Sequence, residues 1–173
     1  MNLPNKLTVG RMIAVPFFVV LYIMGFNVTA TIIFILASAT DWLDGKIARK
    51  NNLVTNFGKI MDPLADKILV YSAFCIMVEN MTIPGWALIV ILAREFTVAG
   101  MRTVAASEGI VIAAAMSGKI KTVLQMVAVP LLILGDIHFI VVYIAQGFFW
   151  ASMVMTIYSG VEYVWKNKSV FSM

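Results

Sequence analysis

Six long apolar segments constrain this chain more than any other feature. They cover about residues 7–26, 28–48, 58–78, 83–107, 117–134 and 139–165, and short polar or Gly/Pro-containing breaks separate them. Each segment is close to the roughly 20 residues that an α-helix needs to cross a hydrocarbon core about 30 Å thick. We therefore predict an all-α membrane protein with six transmembrane helices, in which residues 1–173 form one membrane domain.

The composition argues against a soluble protein. Hydrophobic residues make up 61% of the chain and charged residues 13%, whereas soluble domains have roughly 45–50% and about 25%. The single cysteine excludes a disulfide framework or a cysteine-based metal site within one chain. Because Cys75 lies in an apolar run, we predict that it is a small buried side chain.

The basic residues predict the orientation in the membrane. With six spans, the connectors 25–29, 79–84 and 135–138 would share one side, and none contains Lys or Arg. All thirteen basic residues fall on the other side or on helix ends that face it: Lys6, Arg11, Lys46, Arg49, Lys50, Lys59, Lys67, Arg94, Arg102, Lys119, Lys121, Lys166 and Lys168. The positive-inside rule then places both termini in the cytoplasm, with the chain in the cell membrane. The formal net charge of +4 fits an anionic membrane surface, and we expect no nucleic-acid partner.

Four aspartates lie where the second segment ends and the third begins. Asp41 and Asp44 are three positions apart, and Asp62 and Asp66 are four apart. Residues with these spacings share one face of a helix. Because the connection between the segments is short, the helices should be antiparallel neighbours whose acidic faces can meet. The pattern predicts four carboxylates around one cleft at the cytoplasmic end of the membrane.

Such a cluster needs compensating charge. A carboxylate costs roughly 2.5–3.5 kcal/mol at the membrane centre on an insertion scale, and less near the surface. Oxygen-only ligand sets suit Mg²⁺, Mn²⁺ or Ca²⁺, and two divalent ions would neutralise all four charges. Carboxylate-held metal pairs commonly serve phosphoryl chemistry. We predict that two divalent cations, Mg²⁺ or Mn²⁺, bind to Asp41, Asp44, Asp62 and Asp66.

Small and basic residues accompany the acidic faces. Gly45, Ala48 and Gly58 leave room for a bulky ligand against the backbone, or alternatively for close helix packing. Arg49 could hold a diphosphate through paired hydrogen bonds, or it could be an ordinary anchor at the membrane surface.

These residues together resemble a known family signature. The pattern Asp41-x2-Asp44-Gly45-x2-Ala48-Arg49-x8-Gly58-x3-Asp62-x3-Asp66 fixes eight residues over 26 positions. It is similar, without a gap or substitution, to the signature of the CDP-alcohol phosphatidyltransferases. The resemblance implies transfer of a phosphatidyl group from CDP-diacylglycerol to a small alcohol, with release of CMP. It also implies a homodimer.

The resemblance further implies roles for individual residues. Asp41, Asp44 and Asp62 would ligate the metal pair, and Asp66, also close to the metals, would be the general base for the acceptor hydroxyl. The residues expected to bind CDP-diacylglycerol are Asn5, Thr8, Gly45, Arg49 and Thr55.

Other motifs concern the acceptor. The chain looks like family members that use glycerol 3-phosphate, on the basis of Asn5-Lys-Leu-Thr8-x2-Arg11, Asp62-Pro-Leu-Ala-Asp66-Lys67, Arg94-Glu95 and Gly118-Lys119-Ile-Lys121-Thr122. A phosphorylated acceptor needs cations near the aspartates, and the candidates are Arg94, Arg102, Lys119 and Lys121. Arg94 interrupts an apolar stretch, and the adjoining Glu95 should point about 100° away from it on a helix. Lys119 and Lys121 could equally belong to a basic cytoplasmic loop.

Three other functions compete with this prediction. The same donor could serve inositol phosphate, serine or phosphatidylglycerol as acceptor. A cation transporter could use the aspartates as an ion pathway, although transporters usually place such groups near mid-membrane rather than at one end. A metal-dependent membrane prenyltransferase fits the spacing of Gly45, Ala48 and Arg49 poorly.

Overall fold

The computed structural model describes the chain over residues 3–50, 56–110, 112–113, 115–135 and 139–168. Within these ranges, the side chains at 3–4, 41–50, 56–60, 63 and 139 lie outside the description. The described residues form six α-helices: α1 (Leu3–Ile23), α2 (Asn27–Lys50), α3 (Asn56–Glu79), α4 (Gly85–Ser107), α5 (Met116–Leu134) and α6 (Phe139–Lys166). The prediction of an all-α chain with six helices is confirmed over these ranges.

The first helix is shifted relative to the predicted segment. It begins at Leu3 rather than near residue 7, because Pro4 lies in the first turn, where its missing N–H breaks no helical hydrogen bond. It ends at Ile23 rather than near 26, because Gly25 adopts a φ of 81°. The N–H groups of Gly25 and Phe26 then donate to the carbonyls of Tyr22 and Leu21. This left-handed glycine satisfies the last carbonyls of α1 and starts the turn into α2.

The six helices pack around a shared core. α1 lies against α2 and α3, α5 lies against α6, α2 and α3, and α4 lies against α6 and α3. Among the described side chains, four phenylalanines are fully buried and fill the centre: Phe18, Phe34, Phe74 and Phe149. The rings of Phe18 and Phe34 join α1 to α2, and those of Phe74 and Phe149 join α3 to α6, each with centroids 5.8 Å apart.

Large apolar side chains also cover the outside of the bundle. Phe17, Ile35, Ile89, Phe96 and Val161 are exposed on four different helices. An apolar surface this extensive indicates contact with a membrane. In the described part of the chain, three helical stretches are long and apolar enough to cross one: Asn5–Ile23, Met116–Leu134 and Ile140–Lys166. α2, α3 and α4 are of similar length, but each carries a group of charged residues, which lowers its hydropathy.

The prediction for Cys75 is wrong. This residue is exposed on α3 rather than buried. In a membrane protein, the surface of a helix that faces lipid is as apolar as the surface that faces the core. An apolar run therefore does not indicate which of the two a residue faces.

Candidate active site

Two of the four aspartates lie on the first half of α3. Asp62 and Asp66 are one helical turn apart, and both side chains are partly exposed. The Thr8 hydroxyl on α1, which is fully buried, donates a hydrogen bond to Asp62 Oδ1 at 2.5 Å. Such a hydrogen bond fixes the orientation of a carboxylate, as outer partners of metal ligands do. Thr8, predicted to bind the lipid donor, thus contacts a predicted metal ligand.

A buried polar face of α1 adjoins α2 and α3. Asn5, Thr8 and Arg11 are spaced by three residues and are all buried, so they share one side of the helix. Arg11 Nε donates to the Ala37 carbonyl of α2 at 3.2 Å. The sequence analysis uses Arg11 for the orientation and in the acceptor motif but predicts no binding role for it, although it continues the three-residue spacing of Asn5 and Thr8. A cation with the same helical spacing as two predicted site residues is the sequence signal that points to this position.

The other two aspartates lie on the last turns of α2. This helix runs unbroken to Lys50, so the helical spacing of Asp41, Asp44, Gly45 and Arg49 is as predicted. Their side chains lie outside the described residues, and Thr55 lies outside them altogether. Among the described side chains, no three Asp, Glu, His or Cys residues come close enough to hold a metal.

A basic cavity of about 700 Å³ lies among α3, α4, α5 and α6. Its lining includes four cationic side chains and one carboxylate: Lys67, Arg94, Arg102, Lys119 and Glu95. The formal charge of this set is therefore +3. Three of the four residues predicted to bind the acceptor phosphate, Arg94, Arg102 and Lys119, are thus brought together from two helices.

Glu95 is the centre of this basic cluster. Its carboxylate is buried and accepts from Lys121 Nζ at 2.5 Å and from Arg94 Nη1 at 2.7 Å. Lys67 Nζ lies 3.3 Å from the other carboxylate oxygen. One anion therefore ties together cations from α3, α4 and α5. The pairing with Arg94 differs from the expectation that neighbouring side chains diverge, because both side chains are long enough to bend towards each other.

Lys121 and Lys119 occupy different surroundings. Both lie in the first turns of α5 rather than in a loop. Lys121 is buried, is paired with Glu95 and is not part of the cavity lining, whereas Lys119 is exposed and lines the cavity. Residues two positions apart on a helix point about 200° apart around its axis, which explains why the two lysines separate in this way.

Tyr163 of α6 supports Arg102 of α4. Arg102 Nε lies 3.2 Å from the Tyr163 hydroxyl, and its guanidinium carbon is 5.5 Å from the centre of the ring. Tyr163 is buried and lines the same cavity. The two residues are 61 positions apart in the chain, and no local pattern in the sequence predicts this contact.

The aspartates and the basic cavity meet on α3. Asp66 belongs to the aspartate set, and Lys67, the next residue, lines the basic cavity. Consecutive Cα atoms are only about 3.8 Å apart. The basic cavity therefore adjoins the turn of α3 that carries Asp66. Its cations come from distant parts of the chain, because Arg94 and Lys119 lie 27 or more residues after Lys67.

Comparison with known proteins identifies the family of this chain. Residues 1–158 match the family described as CDP-alcohol phosphatidyltransferase. The chain belongs to this family. A relative from Bacillus subtilis (strain 168) is 44% identical over 96% of this chain and 95% of its own length. Relatives from Rickettsia typhi and Salmonella paratyphi A are each 36% identical, over 98% and 94% of this chain and 99% and 93% of their own lengths.

These three CDP-alcohol phosphatidyltransferase relatives carry one name, CDP-diacylglycerol–glycerol-3-phosphate 3-phosphatidyltransferase. The protein is therefore a phosphatidyltransferase of the CDP-alcohol family, with helices long and apolar enough to cross a membrane. The described donor groups fit a hard divalent cation, because Asp62 and Asp66 offer carboxylate oxygens from one face of α3. The Thr8 hydroxyl already orients one of those carboxylates.

Proposed function

We propose that this protein transfers the phosphatidyl group of CDP-diacylglycerol to glycerol 3-phosphate, giving phosphatidylglycerophosphate and CMP. The observation that carries the proposal is the basic cavity that begins at Lys67, beside Asp66. It offers a phosphate-bearing substrate a binding region with a formal charge of +3, next to the acidic face of α3. The shared name of the relatives supports the same acceptor.

The donor would bind at the aspartates. Asp41, Asp44, Asp62 and Asp66 would hold two divalent cations, Mg²⁺ or Mn²⁺, which when bound neutralise diphosphate charge. Asn5, Thr8, Gly45, Arg49 and Thr55 would bind CDP-diacylglycerol. For Thr8, the structure suggests an indirect contribution, because its hydroxyl holds Asp62 in place.

Asp66 would serve as the general base. It would accept the proton of an acceptor hydroxyl while that oxygen attacks the phosphorus attached to diacylglycerol. A new P–O bond forms, the phosphoanhydride bond breaks, and CMP leaves. The adjacent Lys67 lines the cavity, so an acceptor held there would lie close to this carboxylate.

Arg94, Arg102 and Lys119 would bind the phosphate of the acceptor. A phosphate dianion would neutralise most of the +3 formal charge of the lining, whereas serine would leave several cations without a counter-charge. Lys121, which was predicted to join them, would act through Glu95 instead, because its ammonium already contacts that carboxylate.

Acceptor competition tests this proposal. Purified protein in mixed micelles with CDP-diacylglycerol and Mg²⁺ or Mn²⁺ should release CMP when glycerol 3-phosphate is added. Serine, inositol phosphate and phosphatidylglycerol should each give a kcat/KM at least about 100-fold lower. A preferred acceptor other than glycerol 3-phosphate would overturn the acceptor assignment, and no CMP with any alcohol would overturn the proposed enzyme activity.

We also propose six membrane spans in the cell membrane, with both termini and the active site on the cytoplasmic side. The support is the absence of Lys and Arg from residues 25–29, 79–84 and 135–138. In a Cys75→Ser background, an impermeant maleimide added to intact cells should label Met81→Cys but not Lys168→Cys. The opposite labelling would reverse the topology. A homodimer is proposed from the family resemblance, and light scattering of the purified protein in detergent would test it.

A further inference from the structure

Arg94 runs through a space that two glycines leave open. A Cβ atom added at Gly160 of α6 would lie 2.9 Å from Arg94 Cγ, closer than Cβ atoms in proteins normally approach another carbon. A Cβ atom at Gly118 of α5 would lie 3.2 Å from Arg94 Nη2. The side chain thus passes over the bare backbone of two neighbouring helices.

The contact at Gly160 is the more constraining one. Nη2 is at the flexible end of the arginine and can move aside, whereas Cγ is close to the α4 backbone. Displacing Cγ by several tenths of an ångström therefore also moves the guanidinium. In contrast, a Cβ added at Gly147, on the same helix, meets no described atom within 4 Å. Close packing of α6 therefore does not require every glycine on it.

The protein supplies hydrogen-bond acceptors for only part of the Arg94 guanidinium. Arg94 Nη1 donates to Glu95 Oε1 at 2.7 Å, which fixes one side of the group. Arg94 Nε is buried and has no hydrogen-bond partner among the described residues. An unpaired buried donor on a charged group is costly. Arg94 also lines the basic cavity, so its guanidinium has a place beside it for a phosphate oxygen that would accept a charge-assisted hydrogen bond.

We propose that Gly160 is a positioning residue for the acceptor: it admits the stem of Arg94, and so places the guanidinium, held by Glu95, for the acceptor phosphate. The inference rests on the proposed function, because it assigns Arg94 to that phosphate. Gly160 acts only through Arg94, since the atoms that a Cβ would meet there belong to that side chain alone.

The experiment compares Gly160→Ala with Gly147→Ala in steady-state kinetics. Both variants add one methyl group to α6. Gly160→Ala should raise the KM for glycerol 3-phosphate about tenfold, the effect of one lost charge-assisted hydrogen bond. The KM for CDP-diacylglycerol should change by less than about twofold, and Gly147→Ala should resemble the wild type in both. Thermal denaturation in detergent reports whether each variant is folded.

A double-mutant cycle with Arg94→Ala shows whether the effect passes through the arginine. On the Arg94→Ala background, Gly160→Ala should cause no further rise in the KM for the acceptor. If the wild type releases CMP with glycerol 3-phosphate but Gly160→Ala behaves like Gly147→Ala, the inference is wrong and the proposed function stands. An equal, additive effect on both backgrounds would also refute it. A wild type that is inactive with glycerol 3-phosphate would overturn the proposed function, and this inference with it.

Discussion

Replacing Glu95 by Gln should destabilise the protein strongly. The change removes the anion that contacts Lys121, Arg94 and Lys67 at 2.5, 2.7 and 3.3 Å. Lys121 dominates the cost, because only 3% of its side chain is exposed, whereas Lys67 is 38% exposed and water can screen it. Breaking a buried ion pair costs about 3–5 kcal/mol, because one charge is left buried without a partner.

The assay is thermal denaturation of the purified protein in detergent, compared with SDS-induced unfolding. For a chain of this length, each kcal/mol lowers the midpoint by about 2–4 °C, so Glu95→Gln should lower it by about 6–20 °C. Lys67→Gln serves as the matched control, and it should cost less than about 1 kcal/mol, because it is a partly exposed partner of the same carboxylate.

A compensating variant separates charge from packing. Adding Lys121→Met to Glu95→Gln removes the buried ammonium together with its partner, and should recover at least half of the lost stability. Two results would refute the reasoning. One is a midpoint for Glu95→Gln within about 2 °C of the wild type, and the other is a double variant less stable than Glu95→Gln alone.

Three further changes address catalysis. Asp66→Asn should lower kcat for CMP release by at least about 100-fold while CDP-diacylglycerol binding, measured by equilibrium dialysis, is largely retained; near-normal turnover would exclude Asp66 as the base. Thr8→Val removes the hydroxyl that holds Asp62 and should raise the Mg²⁺ concentration for half-maximal activity about tenfold or more, whereas an unchanged metal titration would separate Thr8 from the metal site. Tyr163→Phe removes the hydroxyl beside Arg102 and should raise the KM for glycerol 3-phosphate about two- to tenfold without changing that for CDP-diacylglycerol; equal changes in both constants would contradict a role at the acceptor.

Much of the fold could be predicted from local pattern. Apolar segments of about 20 residues gave six helices, because helix formation and membrane burial both depend on continuous runs of residues. Boundaries were less accurate at α1, where Pro4 and Gly25 changed the start and the end. The prediction that Cys75 is buried was wrong, because hydropathy does not distinguish a lipid-facing surface from the core.

The candidate site was predicted in part. The aspartate motif lies within 26 positions, so its helical spacing followed from sequence, and α2 and α3 are helical where the spacing required it. The sequence predicted each cation of the acceptor site separately. In the structure, Arg94, Arg102 and Lys119 line one cavity, whereas Lys121 forms an ion pair with Glu95. The direction of each side chain around its helix decides this, and direction depends on which helices are neighbours.

The sequence by itself determined the chemistry and class of this protein: a helical membrane chain with an aspartate signature, because hydropathy and motif spacing are local properties. Only the tertiary structure decided how α1, α4, α5 and α6 surround α3. It placed Thr8 on Asp62, joined three cations at Glu95 and ran Arg94 beside Gly160. Except for Arg94 and Glu95, which are neighbours in the chain, these contacts bring together residues 26 to 66 positions apart, and no local pattern encodes which of them will meet.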